Sequence, residues 1–381
     1  MRSAEIMGSA LCDDLSGAAE AALALGIDTV DLARSAQDTG ARVVDLDVRQ
    51  ASPETARAAV RAGLPQRRQA FVKIDSLLRG NVEAMVRGVR DVRSGLVVCT
   101  PALPVAGRPT LNGRVVLSAE PGIGEHRPDS VEDALGDLPV THVKLDELRS
   151  PGLRDALTQA ARSGRIAVCD AETDADLDLL AAATVATTGG ADDAGDITAV
   201  GSAGLAAAFG RLRPARTTQV PSTVSATVLV VVGSAEPGAR RQVELLASSG
   251  ARLVEVDPAT RDVPRFELTG GRTVLTLCPA PLDPTRARAL AVHLAGLVRE
   301  VVARHDGPLR LALTGGETAR RVLDALGVRR LHVLGQVHPG AVHMRTDTGL
   351  EIVTRPGSHG GPDSLLMIAN RLHQPALQEE L

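Results

Sequence analysis

The sequence has almost no aromatic residues and very few lysines. It contains no tryptophan, no tyrosine and only three phenylalanines, Phe71, Phe209 and Phe266. Of its 42 basic residues, only Lys73 and Lys144 are lysines. Proteins that bind single-stranded nucleic acid stack bases on aromatic rings and follow the backbone with a basic groove. Because the formal net charge is -4 and aromatic rings are scarce, we expect no nucleic-acid partner.

The sequence also lacks the patterns of a disulfide scaffold, a zinc site and a membrane protein. Its four cysteines form no CxxC pair, and Cys99, Cys169 and Cys278 end apolar runs, which predicts buried strand residues. His338 and His343 lie in a predicted loop with no third ligand nearby, so zinc is not favoured. No apolar run is long enough for a membrane, and no signal peptide is recognisable. We therefore expect a cytoplasmic protein without a membrane partner.

Length and hydrophobic pattern predict two α/β domains. The chain has 381 residues, about twice the usual length of a domain. Twelve short apolar runs, from Ile6–Cys12 to Ile352–Arg355, alternate with amphipathic segments, which is typical of mostly parallel sheets flanked by helices. Residues 211–226 are rich in Pro, Thr and Ser. We predict an N-terminal domain over 1–210, a linker over 211–226 and a C-terminal domain over 227–381, with the active site in the interdomain cleft beyond the strand ends.

Acidic and basic side chains follow the first two predicted strands. Asp13 and Asp14 lie where the first strand meets a helix, so one can cap the helix while the other faces a ligand. Taken alone, these two residues are more simply interpreted as a helix cap plus a surface acid. Arg49 follows the second strand, where a solvated ion pair is the simpler interpretation. Arg49 gains interest because it shares a sheet edge with the two aspartates.

The segment KIDSLLRGN, residues 73–81, holds the densest set of polar residues. Lys73 and Asp75 lie on one side of a strand because side chains alternate. Arg79 can form a planar fork on a carboxylate or phosphate, and Asp75 can accept a hydroxyl proton. Ser76 and Asn81 complete the set. An ion pair that only closes the turn is the alternative interpretation.

Three glycine-rich turns follow predicted strands of the C-terminal domain. Glycine lets the backbone close on a phosphate, and the N-terminus of a following helix offers free amides. None of the turns is a GxxxxGK[ST] loop or a GxGxxG fingerprint. Each alone is typical of a tight turn, whereas three together favour a nucleotide site. The candidate nucleotide-binding residues are Gly233, Ser234, Thr314, Gly315, Gly316, Glu317, Thr318, Gly357 and Gly360.

Taken together, these segments resemble the four-carbon acid sugar kinase family. The A-D-D-[LF]-T-G-A pattern of the family appears as CDDLSGA at 12–18, and its K-[IKC]-D-S-T-L-R-G-N pattern appears at 73–81. Its P-A-x-P-x-x-G-R block matches residues 101–108. Similar blocks at 170–174, 201–206 and 314–318 follow in the order of the family and extend the resemblance over nearly the whole chain.

Members of this family phosphorylate short acid sugars such as threonate, erythronate or 3-oxo-tetronate with ATP. The resemblance implies that the N-terminal domain binds the acid sugar and the C-terminal domain binds ATP. We expect Asp75, or failing it Asp14, to act as the catalytic base, and Mg²⁺ to accompany the phosphates. Metal ligands stay open, and a homodimer is one expected assembly. The predicted substrate-binding residues are Asp13, Arg49, Lys73, Ser76, Arg79 and Asn81, with Arg79 or Arg49 on the substrate carboxylate.

Beyond the mild change of threonine to Ser16, three departures from the pattern of the family bear on the site. Leu77 replaces a usual threonine, Arg355 stands where lysine is common, and His359 replaces a usual phenylalanine. These departures motivate an alternative, a non-catalytic member that binds an acid sugar or a nucleotide. A weaker alternative is a metal-dependent isomerase or hydrolase that uses the aspartate pair, but it leaves the glycine turns unexplained.

Overall fold

A computed structural model describes residues 6–32, 42–65, 69–117, 130–187, 195–213, 224–234, 237–257, 266–268, 270–278, 287–357 and 359–373. The chain divides into two compact units, Met1–Arg216 and Thr217–Leu381. The division falls inside the predicted linker 211–226, of which residues 214–223 lie outside the described residues. Among the described helices, none is long and apolar enough to cross a membrane.

The N-terminal unit alternates strands with helices. Its strands are β1 (Ser9–Cys12), β2 (Thr29–Leu32), β3 (Arg42–Asp45), β4 (Gln69–Lys73), β5 (Leu96–Thr100), β6 (Thr110–Leu111), β7 (Arg114–Val115), β8 (Val140–Val143), β9 (Ile166–Cys169) and β10 (Ile197–Gly201). Its helices are α1 (Leu15–Leu25), α2 (Pro53–Gly63), α3 (Val82–Arg90), α4 (Val131–Leu135), α5 (Leu145–Leu148), α6 (Leu153–Arg162), α7 (Asp174–Ala186) and α8 (Ala203–Arg211), with a short 3₁₀ turn at Pro104–Ala106.

The main sheet of this unit is parallel, in the order β2-β3-β1-β4-β10-β5-β9-β8. Cys12 at the end of β1 pairs with Asp45 of β3 on one side and with Lys73 of β4 on the other. The carboxyl ends of these three strands therefore lie side by side. Strands β6 and β7 form a separate antiparallel hairpin.

Helices cover both faces of this sheet. One face carries Leu11, Val72 and Ile74 into an apolar core formed with α2 and α3. On the other face, Phe71 packs edge-on against Phe209 of α8, with ring centroids 6.4 Å apart. Because side chains alternate along a strand, Lys73 shares the face of Phe71. The ammonium group of Lys73 thus lies beneath the start of α1.

The C-terminal unit is a second α/β layer. Its strands are β11 (Thr227–Val232), β12 (Arg252–Val256), β13 (Arg272–Leu277), β14 (Leu309–Thr314), β15 (Arg330–His338), β16 (Ala341–Thr346) and β17 (Glu351–Arg355). Its helices are α9 (Pro237–Ser248), α10 (Ala287–Arg304), α11 (Gly316–Ala325) and α12 (Ser364–His373). The strand order is β12-β13-β11-β14-β17-β16-β15, and the first five strands are parallel. The predicted class, α/β units with mostly parallel sheets flanked by helices, is confirmed.

The segment around His338 and His343 differs from the sequence prediction. Instead of a loop, it forms the antiparallel pair β15–β16, which reverses direction at Pro339 and Gly340. A left-handed φ of 81° at Gly340 suits the tight reversal. His338 contacts the hydroxyl of Ser364 at 2.8 Å, so its ring is tied to the start of α12.

Candidate active site

Asp13 and Asp14 stand at the junction of β1 and α1. Asp14 is the N-cap of α1, and its carboxylate accepts the Gly17 amide at 2.8 Å. The carbonyl oxygen of Asp13 accepts the amides of Val48 at 3.0 Å and Arg49 at 3.1 Å. These backbone bonds hold the loop after β3 against the end of β1. The sequence prediction that one aspartate caps the helix is confirmed.

Arg49 bridges the two aspartates. Its Nε and Nη2 atoms donate to the Asp13 carboxylate at 2.7 and 3.0 Å. Its Nη1 and Nη2 atoms donate to the Asp14 carboxylate at 2.8 and 3.1 Å. Burial raises the pKa of Asp13, and the Arg49 guanidinium opposes that shift. Both carboxylates are thus fixed by a single guanidinium group.

Asp75 forms a second pair with Arg79. Its Oδ2 accepts Arg79 Nε at 2.7 Å and its Oδ1 accepts Arg79 Nη2 at 2.9 Å. The Leu77 and Arg79 amides also donate to Oδ2, at 3.2 and 3.3 Å. Burial alone would raise the pKa of Asp75, but the hydrogen bonds from Arg79 and the charge of Arg49 hold that pKa well below its usual range. The pairing with Arg79 and Arg49 therefore favours the ionised form of Asp75.

The other predicted residues of the 73–81 segment have separate roles. Lys73 is 4% exposed, and its Nζ donates to the Ile74 carbonyl at 2.9 Å. Ser76 is also buried next to Asp75. Asn81 donates both hydrogens of its amide to the loop that carries Arg49, at the carbonyls of Val48 (2.7 Å) and Ala51 (2.9 Å). Asn81 therefore positions that loop.

Leu77, one of the departures from the family pattern, points away from these charges. Its side chain is 3% exposed and belongs to the apolar core beneath α2 and α3. Only its amide faces Asp75. The change from the threonine of the family therefore alters core packing on this side of the chain.

Two further residues, which the sequence did not assign to the site, interact with the same groups through charge or a hydrogen bond. Glu20 is the single charged residue of α1, and burial raises its pKa to about 7, with Lys73 and Asp14 among the charges that act on it. Arg108 follows the 3₁₀ turn, and its Nη1 donates to Ser76 Oγ at 3.0 Å. An isolated acid in the alanine-rich LSGAAEAALAL segment was the available sequence signal for Glu20. The sequence signal for Arg108 was its place at the end of the P-A-x-P-x-x-G-R block.

In the C-terminal unit, the three glycine-rich turns follow three neighbouring strands. Val232 of β11 pairs with Thr314 of β14, and Thr314 pairs with Arg355 of β17. The three strands are parallel, so the residues after them leave the sheet at one edge. Ala235, Glu236 and Ser358 of these turns lie outside the described residues.

The first two turns pack tightly against each other. A Cβ atom on Gly233 would lie 2.0 Å from Thr318 Oγ1, so only glycine fits there. Gly315 has a φ of 91°, in the left-handed region, and precedes α11 without any side-chain cap on that helix. Uncapped amides at a helix N-terminus favour an anion. Gly316, Glu317 and Thr318 form the first turn of this helix.

The third turn rests on a buried arginine. Arg355 is 1% exposed and donates to Gln242 Oε1 and to the carbonyl of His359. Gln242 in turn donates to the carbonyls of Gly361 at 2.8 Å and Gly360 at 3.3 Å. The departures at Arg355 and His359 thus take part in one hydrogen-bonded support of the turn, which also contains Gly357.

Comparison with known proteins assigns different ligands to the two parts of the chain. Residues 9–209 match a family described as a sugar-binding N-terminal domain, and residues 276–365 match a nucleotide-binding C-terminal domain. A D-threonate kinase of Cupriavidus necator is 30% identical, over 93% of this chain and 95% of that protein. The chain belongs to the four-carbon acid sugar kinase family.

Other members of the four-carbon acid sugar kinase family are similar over most of their length. A 3-oxo-tetronate kinase of Methylobacterium radiotolerans is 27% identical, over 76% of this chain and 77% of that protein. A crystal structure from Haemophilus influenzae has a TM-score of 0.68 and 19% identity, covering 96% of this chain and 100% of that one. That structural likeness shows the shared fold.

Proposed function

We propose that the chain is an ATP-dependent kinase that phosphorylates a hydroxyl group of a short, four-carbon sugar acid. The main observation behind this proposal is that, in a member of this family, the carboxyl ends of parallel strands in both units carry groups suited to binding these ligands. One edge presents aspartates and guanidinium groups, and the other presents three glycine-rich turns. The names of the relatives, D-threonate kinase and 3-oxo-tetronate kinase, support the substrate class.

We propose Asp75 as the group that accepts the hydroxyl proton, with Asp14 as the second candidate. Asp75 is ionised, and Arg79 fixes its carboxylate in one position. The carboxylate can therefore orient the hydroxyl without first changing its own conformation. Its low pKa makes it a weak base. Phosphoryl transfer tolerates this because its loose transition state depends mainly on positioning and electrostatic stabilisation.

We propose that the amides and hydroxyls around Gly233, Gly315 and Thr318 bind the phosphates of ATP. The uncapped N-terminus of α11 and the close approach of Gly233 support this assignment. Gly357 and Gly360 belong to the third turn, which Arg355 and Gln242 support from below. Ser234, Thr314, Gly316 and Glu317 complete the proposed nucleotide site.

We expect Mg²⁺ to arrive with ATP. Among the residues that the structure describes, no three acidic, histidine or cysteine side chains are arranged to hold a metal. In kinases Mg²⁺ is usually held by one or two carboxylates together with substrate phosphates and water, an arrangement that needs no cluster of three such side chains. When bound, the ion would neutralise the negative charge that develops during phosphoryl transfer.

A screen for ATP-dependent phosphorylation tests the proposal. The purified chain is incubated with ATP, Mg²⁺ and a panel of four- and five-carbon sugar acids, and products are identified by mass spectrometry. A phosphorylated four-carbon sugar acid is the expected product. Binding of sugar acid or nucleotide without turnover on any panel member would favour the non-catalytic alternative. Turnover of a sugar acid without ATP would favour the isomerase or hydrolase. The expected cytoplasmic setting and homodimer stay predictions.

A further inference from the structure

The two arginines predicted to hold the substrate carboxylate are already paired within the chain. Arg49 uses four of its N–H groups on Asp13 and Asp14. Arg79 forms a two-point fork on Asp75. A substrate carboxylate at either arginine would have to compete with carboxylates that the chain itself supplies. Neither arginine therefore offers an uncompensated positive charge.

Arg108 lies beside this group of charges and is differently placed. Its Nη1 donates to Ser76 Oγ at 3.0 Å, one residue after Asp75. Within the described part of the chain, Arg108 forms no ion pair, although its guanidinium carries five N–H groups. Its side chain is partly exposed, so a ligand can reach it.

The backbone around Arg108 is fixed before any ligand binds. Leu103 and Arg108 exchange backbone hydrogen bonds of 2.8 and 3.2 Å. The hairpin that follows is tied to the end of β9, where Asp170 accepts the amides of Asn112 and Gly113, both at 2.9 Å. An anchored backbone lowers the conformational entropy that this loop loses when the guanidinium group binds an anion.

We infer that Arg108, rather than Arg49 or Arg79, binds the carboxylate of the sugar acid. The inference rests on the proposed function, because it names the residue that selects acids among four-carbon polyols. A planar guanidinium matches a carboxylate with two parallel hydrogen bonds. Arg49 and Arg79 then organise the aspartates, while Arg108 sets specificity.

The test compares Arg108→Gln with the wild type on a sugar acid and on the matching four-carbon sugar alcohol, which lacks the carboxylate. We expect KM for the acid to rise about 10- to 100-fold, the scale of a lost charged hydrogen bond, with KM for ATP unchanged. The preference for acid over alcohol should fall by the same factor. Arg108→Lys should restore part of it, since lysine keeps the charge but loses the fork.

Arg114→Gln is the matched control, because it removes the same charge from an exposed position on the hairpin that follows Arg108. A rise in KM for ATP, or an equal loss with acid and alcohol, would overturn the inference and indicate a contact with phosphate. Calorimetric binding of the sugar acid without nucleotide separates the two proposals. If the wild type binds the acid but does not phosphorylate it, the kinase proposal fails while Arg108→Gln still reports on the inference. If the wild type binds no sugar acid, the inference fails.

Discussion

At the scale of single residues, Asp75 is the carboxylate on which turnover should depend most. Replacing it with asparagine removes the charge that we propose accepts the hydroxyl proton, and leaves Arg79 without its partner. We expect Asp75→Asn to lower kcat by about 100-fold or more, the scale of a catalytic acid or base, with KM for ATP nearly unchanged. Steady-state kinetics measure both constants.

Asp178→Asn is a suitable control for that substitution, because Asp178 forms an exposed ion pair with Arg211. It should leave kcat unchanged. Full turnover by Asp75→Asn would remove Asp75 from the proposed role and move attention to Asp14.

Glu20 makes stability depend on pH near neutrality. Burial raises its pKa from an ordinary 4.5 to about 7, so the native state holds a proton that the unfolded chain has lost in this window. The free energy of unfolding of the wild type therefore falls as pH rises through the window. Glutamine does not titrate, so Glu20→Gln lacks this fall in the free energy of unfolding. Differential scanning fluorimetry should show that, between about pH 5 and about pH 8, the melting temperature of the variant rises relative to the melting temperature of the wild type.

The control for this pH effect is Glu54→Gln. The backbone amide of Glu54 and the Ser52 hydroxyl lower the pKa of Glu54 below its ordinary 4.5, so it stays ionised above about pH 5. The difference between Glu54→Gln and the wild type should stay level over the same range. A level difference for Glu20→Gln as well would contradict the assignment of a neutral carboxyl to Glu20.

At the scale of elements, the contact between the turn after β11 and helix α11 should govern nucleotide binding. Gly233→Ala would drive a methyl group into Thr318 Oγ1 and separate the two segments. Displacing Thr318 would weaken hydrogen bonds that we propose it and its neighbours donate to phosphate, and a lost hydrogen bond to a charged group costs about 1.5–3 kcal/mol, so we expect KM for ATP to rise about tenfold or more. Gly296→Ala on α10, where no atom lies within 4 Å of an added Cβ, is the control. Equal KM values for both variants would contradict the phosphate-binding role.

The sequence predicted most of the buried strands and missed several other elements, including the ten-residue helix α6 (Leu153–Arg162). Two of the twelve apolar runs found in the sequence, Leu96–Thr100 and Ile197–Gly201, coincide with β5 and β10 from end to end, because both strands are buried and mostly apolar. Strand β8 (Val140–Val143) was missed because it is short, lies at the edge of its sheet and carries a histidine. Strand β16 was missed because the Pro339–Gly340 turn beside it resembles a loop.

At the scale of the whole molecule, strand order explains how much of the site could be predicted. Neighbouring parallel strands end together, and this is why Asp13, Arg49 and Asp75 meet. Which guanidinium pairs with which carboxylate depends on side-chain geometry that no spacing encodes. The sequence therefore could not show that aspartates of the chain itself occupy Arg49 and Arg79. Nor could it show that Arg108 contacts Ser76 from a loop that is distant in sequence.

The burial of Lys73 gives the chain an unusual labelling property. Lys144 is exposed, whereas Lys73 is 4% exposed, and no other lysine exists. An amine-reactive dye should therefore modify one lysine side chain per native molecule and both after denaturation, as intact mass and peptide mapping would show. Equal modification of both lysines in the native protein would contradict the burial of Lys73. A fluorophore can thus be attached at one defined lysine side chain without any cysteine substitution. The rate at which Lys73 is modified would then measure how often the N-terminal unit opens.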